Sequence, residues 1–200
     1  MGGNGPLTEA LMLDNWIRAL TFSGEYPIPW VPGDLNILNA PPSTRGILYC
    51  WTHLPLVEMP LRTLLDMGHT LDFIVADPGK IVNGDEFIVP GLKTRVKALS
   101  ADRRVLIKVR SALAQGKSVA CLADAEIFGP LSSQVLQVAG KVGAFVIFQW
   151  AERQPDDTLK VNFVPAPYPH CETAEQIEQN LEFLYARNTR TLQELGALPE

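Results

Sequence analysis

The stretch "GILYCWTHLPLVEMP", residues 46–60, joins an apolar segment to a helix and places two polar side chains at the junction. The segment GILYCW has the length and composition of a strand that is buried on both faces. Because proline is favoured at the first position of a helix, Pro55 predicts a helix that ends at Gly68. His53 then lies in the turn, and Glu58 lies in the first helical turn among apolar residues. A buried carboxylate without a partner is costly, so we expect Glu58 to have one.

Strands and helices alternate along the rest of the chain. Further apolar strands are predicted for TLDFIVA (70–76), KSVACLAD (117–124), AFVIFQW (144–150) and LKVNFVP (159–165). Helical periodicity is found in residues 102–116, 131–143 and 172–195. Residues 77–100 are predicted to be a long loop with a short strand, EFIV. This alternation predicts an α/β fold, a single-domain sandwich in which a largely parallel or mixed central sheet is flanked by helices.

The 200 residues, 46% of them hydrophobic and 20% charged, suit one domain that spans residues 1–200. Within it we predict an N-terminal amphipathic helix at 7–20, a proline-rich lead-in at 25–45 and a core at 45–196. No apolar run approaches the roughly 20 residues that a membrane-spanning helix needs. We therefore expect a soluble chain.

Charge and cysteine content exclude several classes of function. A net charge of −5 argues against a nucleic-acid partner, although the segment between Lys93 and Arg110 is locally basic. Cys50, Cys121 and Cys171 are widely spaced and form no CxxC pattern, which indicates neither a disulfide framework nor a zinc site. A reducing, cytoplasmic setting fits best, and the first two cysteines are predicted to be small buried hydrophobes.

Two strands end in polar residues that suit proton transfer. GILYCW is followed by His53, and SVACLA is followed by Asp124. In parallel sheets, sites collect at the carboxyl ends of the strands. An imidazole that a carboxylate such as Glu58 holds through one ring nitrogen can act as a general base through the other. The alternatives are local ones, in which His53 and Glu58 support the start of the helix and Asp124 caps the following loop.

These residues carry a resemblance to a known family. His53 and Glu58, separated by four residues after an apolar strand, resemble the HX4D/E motif of the lysophospholipid acyltransferase superfamily. Asp124, Phe128–Gly129 and Gly143–Ala144 follow in the order found in the bacterial lauroyl/myristoyl acyltransferases of lipid A biosynthesis. The similarity covers roughly residues 45–190.

The resemblance implies acyl transfer from an acyl carrier protein or coenzyme A thioester to a hydroxyl or amine. His53 would be the general base and Glu58 would orient it, with no metal or cofactor beyond the acyl thioester. The implied substrate-binding residues are Arg95 near the phosphate of the acceptor, Arg103 and Arg104 for phosphopantetheine or an acidic carrier protein, and Asp124 at the pocket floor.

The chain also departs from that family. From the sequence we expect no N-terminal membrane-anchoring helix of the kind that this family has, and Ala125 stands where the family has glutamine after the aspartate. We therefore expect a lipid or a smaller, soluble molecule as acceptor, and a cytoplasmic protein for which a peripheral position at the inner face of the membrane stays open. Two other functions stay open as well: a noncatalytic partner that binds acyl carrier protein or an acyl chain, and an acyl-thioester hydrolase.

Overall fold

Strand Ile47–Trp51 lies inside a large sheet, and all five of its residues are buried. The structure is a computed structural model that describes residues 12, 30–32, 35–39, 45–89, 94–124, 131–156 and 158–194. The helix predicted at 7–20, apart from Met12, and the pair Phe128–Gly129 lie outside these described residues. The proline-rich lead-in is described only in part.

The described strands and helices follow the predicted alternation. The strands are β1 (Trp30–Pro32), β2 (Ile47–Trp51), β3 (Asp72–Val75), β4 (Ile81–Val82), β5 (Glu86–Ile88), β6 (Arg95–Ser100), β7 (Val119–Leu122), β8 (Phe145–Arg153) and β9 (Leu159–Pro165). The helices are α1 (Asn36–Asn39), α2 (Glu58–Asp66), α3 (Val105–Ala114), α4 (Gln134–Val142) and α5 (Ala174–Glu194), and a 3₁₀ turn covers Pro78–Lys80.

The nine described strands form one mixed sheet in the order β1-β9-β8-β2-β7-β3-β6-β5-β4. The five strands from β8 to β6 in this order pair in parallel. Strand β9 runs antiparallel to β8, and β5 runs antiparallel to β6. The predicted α/β fold, with a largely parallel and mixed sheet flanked by helices, is confirmed.

Two apolar cores sandwich the sheet. One core contains Leu48 and Cys50 of β2 together with residues of α3, α4 and α5. The other contains Tyr49 and Trp51 together with residues of α1 and α2. Because successive side chains of a strand point to opposite faces, a strand buried on both faces reads as a continuous apolar run. Cys50 and Cys121 are buried, as predicted, and their mutual hydrogen bond and burial raise the pKa of the Cys50 thiol.

The structure corrects the predicted loop at 77–100 and the predicted start of helix α2. Residues 77–100 are not one long loop with a single short strand. Strand β5 lies within the predicted strand EFIV, and a further strand, β6, occupies Arg95–Ser100. Its residues alternate between exposed and buried at Arg95, Val96, Lys97 and Ala98, a period of two that the cluster of basic side chains obscured. The helix predicted from Pro55 begins at Glu58.

Candidate active site

Strand register brings His53 and Asp124 together. Strands β2 and β7 pair in parallel with Leu48 opposite Val119 and Trp51 opposite Leu122. The same register, continued two residues beyond each strand, places His53 opposite Asp124. A hydrogen bond from the Ala123 amide to the Trp51 carbonyl, 2.6 Å long, maintains the pairing past the strand ends. The contact therefore follows from the sheet, although 71 residues separate the two side chains.

Asp124 contacts both the ring and the backbone of His53. Its Oδ1 lies 2.9 Å from His53 Nδ1, and the His53 amide nitrogen lies 3.0 Å from both carboxylate oxygens. The Asp124 side chain is 2% exposed, whereas that of His53 is 30% exposed. Because a carboxylate accepts hydrogen bonds, it favours the tautomer with a proton on Nδ1 and a lone pair on Nε2. That arrangement suits a general base at a partly accessible position.

A tight turn links His53 to helix α2. The Leu54 amide donates to the Thr52 carbonyl at 2.8 Å, and the Val57 amide donates to the Leu54 carbonyl at 3.2 Å. Leu56 has φ +68°, a left-handed conformation that breaks the helical path. The helix therefore begins at Glu58 and not at Pro55, because the left-handed Leu56 interrupts the helical conformation between them.

Glu58 is the first residue of α2 and is partly buried. A carboxylate at this position interacts favourably with the partial positive charge of the helix N-terminus. The sequence predicted that Glu58 holds the imidazole of His53, but the carboxylate on Nδ1 belongs to Asp124. Asp124 was expected at the pocket floor or as a loop cap. Its role as the partner of His53 was missed, although both residues follow apolar strands and the signal was therefore present.

Arg95 lies far from His53 along the strand direction. It is the first residue of β6, so it lies at the amino edge of the parallel strands, where its Nη1 donates to Glu86 Oε2 at 2.8 Å. With a rise of roughly 3.3 Å per residue, the six residues of β6 separate the two sheet edges by about 17 Å. The structure does not bring Arg95 to the candidate site, and the prediction that places it there lacks support.

Arg103 and Arg104 lie at the same edge as His53. They occupy the exposed turn between the carboxyl end of β6 and the start of α3. Asp102 shapes this turn by accepting from the Arg104 amide at 2.7 Å and from Lys108 Nζ at 2.8 Å. Both hydrogen bonds lower the pKa of Asp102, that of Lys108 most strongly. Three spacings of about 4.8 Å separate β6 from β2, so the arginines lie about 14 Å along the edge from His53.

Helix α5 contributes a further contact that the sequence did not predict. Thr52 Oγ1 donates to Asn188 Oδ1 at 2.8 Å, one residue before His53 in the chain. The neighbouring Arg187 guanidinium lies 4.9 Å from the centre of the Trp150 ring and pairs with Glu152. The end of α5 is thus held against the ends of β2 and β8.

Other features of the described surface lie away from His53. A cleft of about 620 Å³ at the amino edge is lined by residues that include His69, Asp72, Arg95 and Lys117. Burial lowers the pKa of His69 and raises that of Asp72 there. Within the described ranges, no group of three or more His, Cys, Asp and Glu side chains converges as metal ligands would. No helix in these ranges has the length and apolar character needed to cross a bilayer.

No protein-family model and no curated protein matches the chain. The resemblance to acyltransferases therefore rests on the sequence landmarks around His53, Glu58 and Asp124, and the function follows from it as a proposal.

Proposed function

We propose that this chain transfers an acyl group from an acyl carrier protein or coenzyme A thioester to a hydroxyl or amine acceptor. The observation that carries the proposal is the contact between His53 Nδ1 and Asp124 Oδ1 at 2.9 Å, with the ring accessible and the carboxylate buried. It supports His53 as general base, and the proposal assigns to Asp124 the orienting role that the resemblance implies for Glu58. Cytoplasmic location and a lipid or soluble acceptor belong to the same proposal.

The proposed reaction is a single displacement on the thioester carbonyl. His53 Nε2 accepts the proton of the acceptor O–H or N–H while the acceptor atom forms a bond to the carbonyl carbon. The carbon becomes tetrahedral, and its C–S bond then breaks. The leaving thiolate takes the proton from the imidazolium, which returns His53 to its neutral form. Throughout, Asp124 keeps the ring oriented and stabilises its positive charge, as the carboxylate of a hydrolytic triad does.

The donor's anionic portion is proposed to bind near Arg103 and Arg104. Both guanidinium groups are exposed at the carboxyl edge, and the chain around them is basic within an acidic protein. Such a patch attracts a phosphorylated or acidic partner and accelerates its association. The position is compatible with a donor that extends along the edge toward His53.

Thioester turnover tests the proposal. Purified protein would be given acyl carrier protein and coenzyme A thioesters with a panel of hydroxyl and amine acceptors, and free thiol would be measured. Loss of the base in His53→Ala should lower turnover by about 10²-fold or more, and Asp124→Asn should lower it by a similar factor. Glu58→Gln should have a much smaller effect, since Asp124 holds Nδ1. His170→Ala is the matched control, because that exposed imidazole contacts Phe145 at the start of β8.

Each pattern of results has a distinct meaning. Acceptor-dependent thiol release that requires His53 and Asp124 supports the transferase. Release that requires His53 but not an acceptor would assign a hydrolase. If the wild type and His53→Ala are equally inactive while acyl carrier protein binds, the catalytic proposal is wrong and a noncatalytic binding role replaces it. A larger loss in Glu58→Gln than in Asp124→Asn would return the orienting role to Glu58.

A further inference from the structure

We infer that Asn188 is a positioning residue that holds the turn carrying His53 through the side chain of Thr52. The inference goes beyond the His53–Asp124 pair but rests on the proposed function, because it concerns the geometry of the same base. It assigns a role to helix α5, which begins far from the site and reaches it near its last turns.

Three hydrogen bonds restrain the chain on the two sides of the His53 α-carbon. The buried Thr52 hydroxyl donates to Asn188 Oδ1 at 2.8 Å. The Thr52 carbonyl accepts from the Leu54 amide at 2.8 Å, and the His53 amide donates to Asp124 at 3.0 Å. Asp124 therefore restrains the ring and the amide of His53, and Asn188 restrains the residue before it. The Thr52–Asn188 hydrogen bond connects this turn to helix α5, which packs on the face of the sheet opposite to α2.

The face on which each contact lies makes the two restraints independent. Thr52 follows Leu48 and Cys50 in the alternation of β2, so its side chain points toward the core that α3, α4 and α5 cover. His53 and Asp124 follow the opposite parity, toward the face that α2 covers. The turn is thus held from both faces of the sheet, and loss of either side-chain contact leaves it restrained on one face only.

Attachment of α5 to the sheet does not depend on Asn188. Arg187 contacts Trp150 and Glu152, and Leu184 packs in the core of the same face. A buried hydrogen bond between neutral groups contributes only about 0.5–1.5 kcal/mol net to stability, so docking alone gives weak reason for this polar pair. The more specific effect of the Thr52–Asn188 hydrogen bond is that it fixes the orientation of the turn that carries His53. A displacement of about 1 Å at a reacting group can lower a rate by about 10²-fold.

Kinetics of matched variants test the role. Thr52→Val keeps the shape of the side chain and removes the hydroxyl, whereas Thr52→Ser keeps the hydroxyl. We expect Thr52→Val and Asn188→Ala each to lower kcat about tenfold with little change in KM, and Thr52→Ser to retain most of the rate. The double variant should be no slower than either single variant, because both remove one interaction.

A second asparagine in the same helix supplies the control for a structural effect. Asn180 is fully buried, and its amide bonds to the backbone of Tyr168, so it also docks α5 but eight residues away from Asn188. Asn180→Ala should lower Tm at least as much as Asn188→Ala and leave kcat unchanged at temperatures well below Tm. If kcat falls in parallel with Tm in all variants, the positioning role is overturned.

NMR of the His53 ring separates this inference from the proposed function. The ¹⁵N and ¹H signals of the ring report its hydrogen bond to Asp124 without any turnover. They should shift in Thr52→Val and Asn188→Ala and stay as in the wild type in Asn180→Ala. Unchanged ring signals and unchanged kcat in Thr52→Val and Asn188→Ala would overturn the inference about Asn188. The proposed function would still stand in that case if His53→Ala loses activity. If His53→Ala keeps full activity, the proposed function fails, and the ring signals alone decide the geometry.

Discussion

Gln149 is a buried amide whose two polar atoms have no hydrogen-bond partner among the described residues. It lies in β8 with 1% of its surface exposed, between Phe163 of β9 and the end of β2. An unsatisfied buried polar group costs about 1–3 kcal/mol of stability. The Tyr49 hydroxyl on the same face is also buried without a described partner, and burial raises the pKa of Tyr49 to about 12. Polar atoms of this kind lower stability, because they lose their hydrogen bonds to water on folding and gain none in return.

Replacement of this amide by an apolar side chain of similar size should stabilise the fold. We predict that Gln149→Leu raises the free energy of unfolding by about 1–3 kcal/mol, measured by chemical denaturation. Asn162→Leu in β9 is the control, because the Asn162 amide donates to Glu152 Oε1 at 3.0 Å and its loss should destabilise. A loss of stability in Gln149→Leu equal to that in the control would mean that the amide is hydrogen-bonded in solution, for example to an internal water.

The carboxylate that contacts the His53 ring shows how far residue spacing in the sequence can predict a site. The positions of His53 and Asp124 after apolar strands and of Glu58 in the first helical turn were readable from the sequence, and the structure joins His53 to Asp124. Spacing favoured Glu58 because it is near in the chain. The choice of Asp124 depends on β7 being the neighbour of β2, and no local pattern encodes which strands are adjacent. Asn188 was missed for the same reason, since it meets Thr52 across 136 residues.

At the scale of elements, helix α4 and the loop before α5 approach too closely for a side chain. A Cβ added at Gly140 would lie 2.1 Å from the carbonyl oxygen of Cys171. Cys171 itself has φ +51°, and its thiol is buried, with a pKa that burial raises to about 11. The glycine therefore serves the contact between two elements and not the flexibility of the helix.

We predict that Gly140→Ala destabilises the fold although alanine is the better helix former. In an open helix the substitution would gain about 1 kcal/mol, but overpacking against backbone typically costs about 1–3 kcal/mol. Thermal unfolding should show a lower Tm for Gly140→Ala. The reverse substitution at an exposed alanine, Ala114→Gly at the end of α3, measures the effect of helix propensity on Tm without any change in packing. A Tm at or above the wild-type value in Gly140→Ala would show that the loop shifts at no cost.

Element boundaries were predicted where local chemistry decides them and missed where the turn geometry does. The continuous apolar runs of β2, β7 and β8 were found because strands buried on both faces have a distinctive composition. The predicted start of α2 is wrong because proline is favoured both at the first position of a helix and in a non-helical turn, and Pro55 lies in such a turn. The left-handed Leu56 that delays the helix carries no sequence signal, since leucine rarely adopts this conformation.

At the scale of the whole molecule, the parallel strands divide the basic side chains between two edges. Arg103 and Arg104 lie at the carboxyl edge with His53, and Arg95 lies at the amino edge, paired with Glu86. The sequence presented these residues as one basic segment. Strand β6, which the sequence pattern predicts as part of a loop, separates Arg95 from the other two, because it runs from the amino edge to the carboxyl edge. A linear cluster of charge therefore does not predict a single electrostatic surface.

This division predicts unequal effects for arginines that look equivalent in the sequence. If an acidic or phosphorylated donor binds at the carboxyl edge, Arg103→Gln together with Arg104→Gln should raise KM for an acyl carrier protein thioester several-fold, with kcat nearly unchanged. The effect should shrink as ionic strength rises, because salt screens exposed charges beyond about 8–10 Å. Arg95→Gln should leave KM within about twofold of wild type, since it breaks only a solvent-screened surface ion pair at the opposite edge of the sheet. Steady-state kinetics at low and high salt measure both. A rise in KM for Arg95→Gln equal to that for the double variant would place the donor across the amino edge and contradict the proposed orientation.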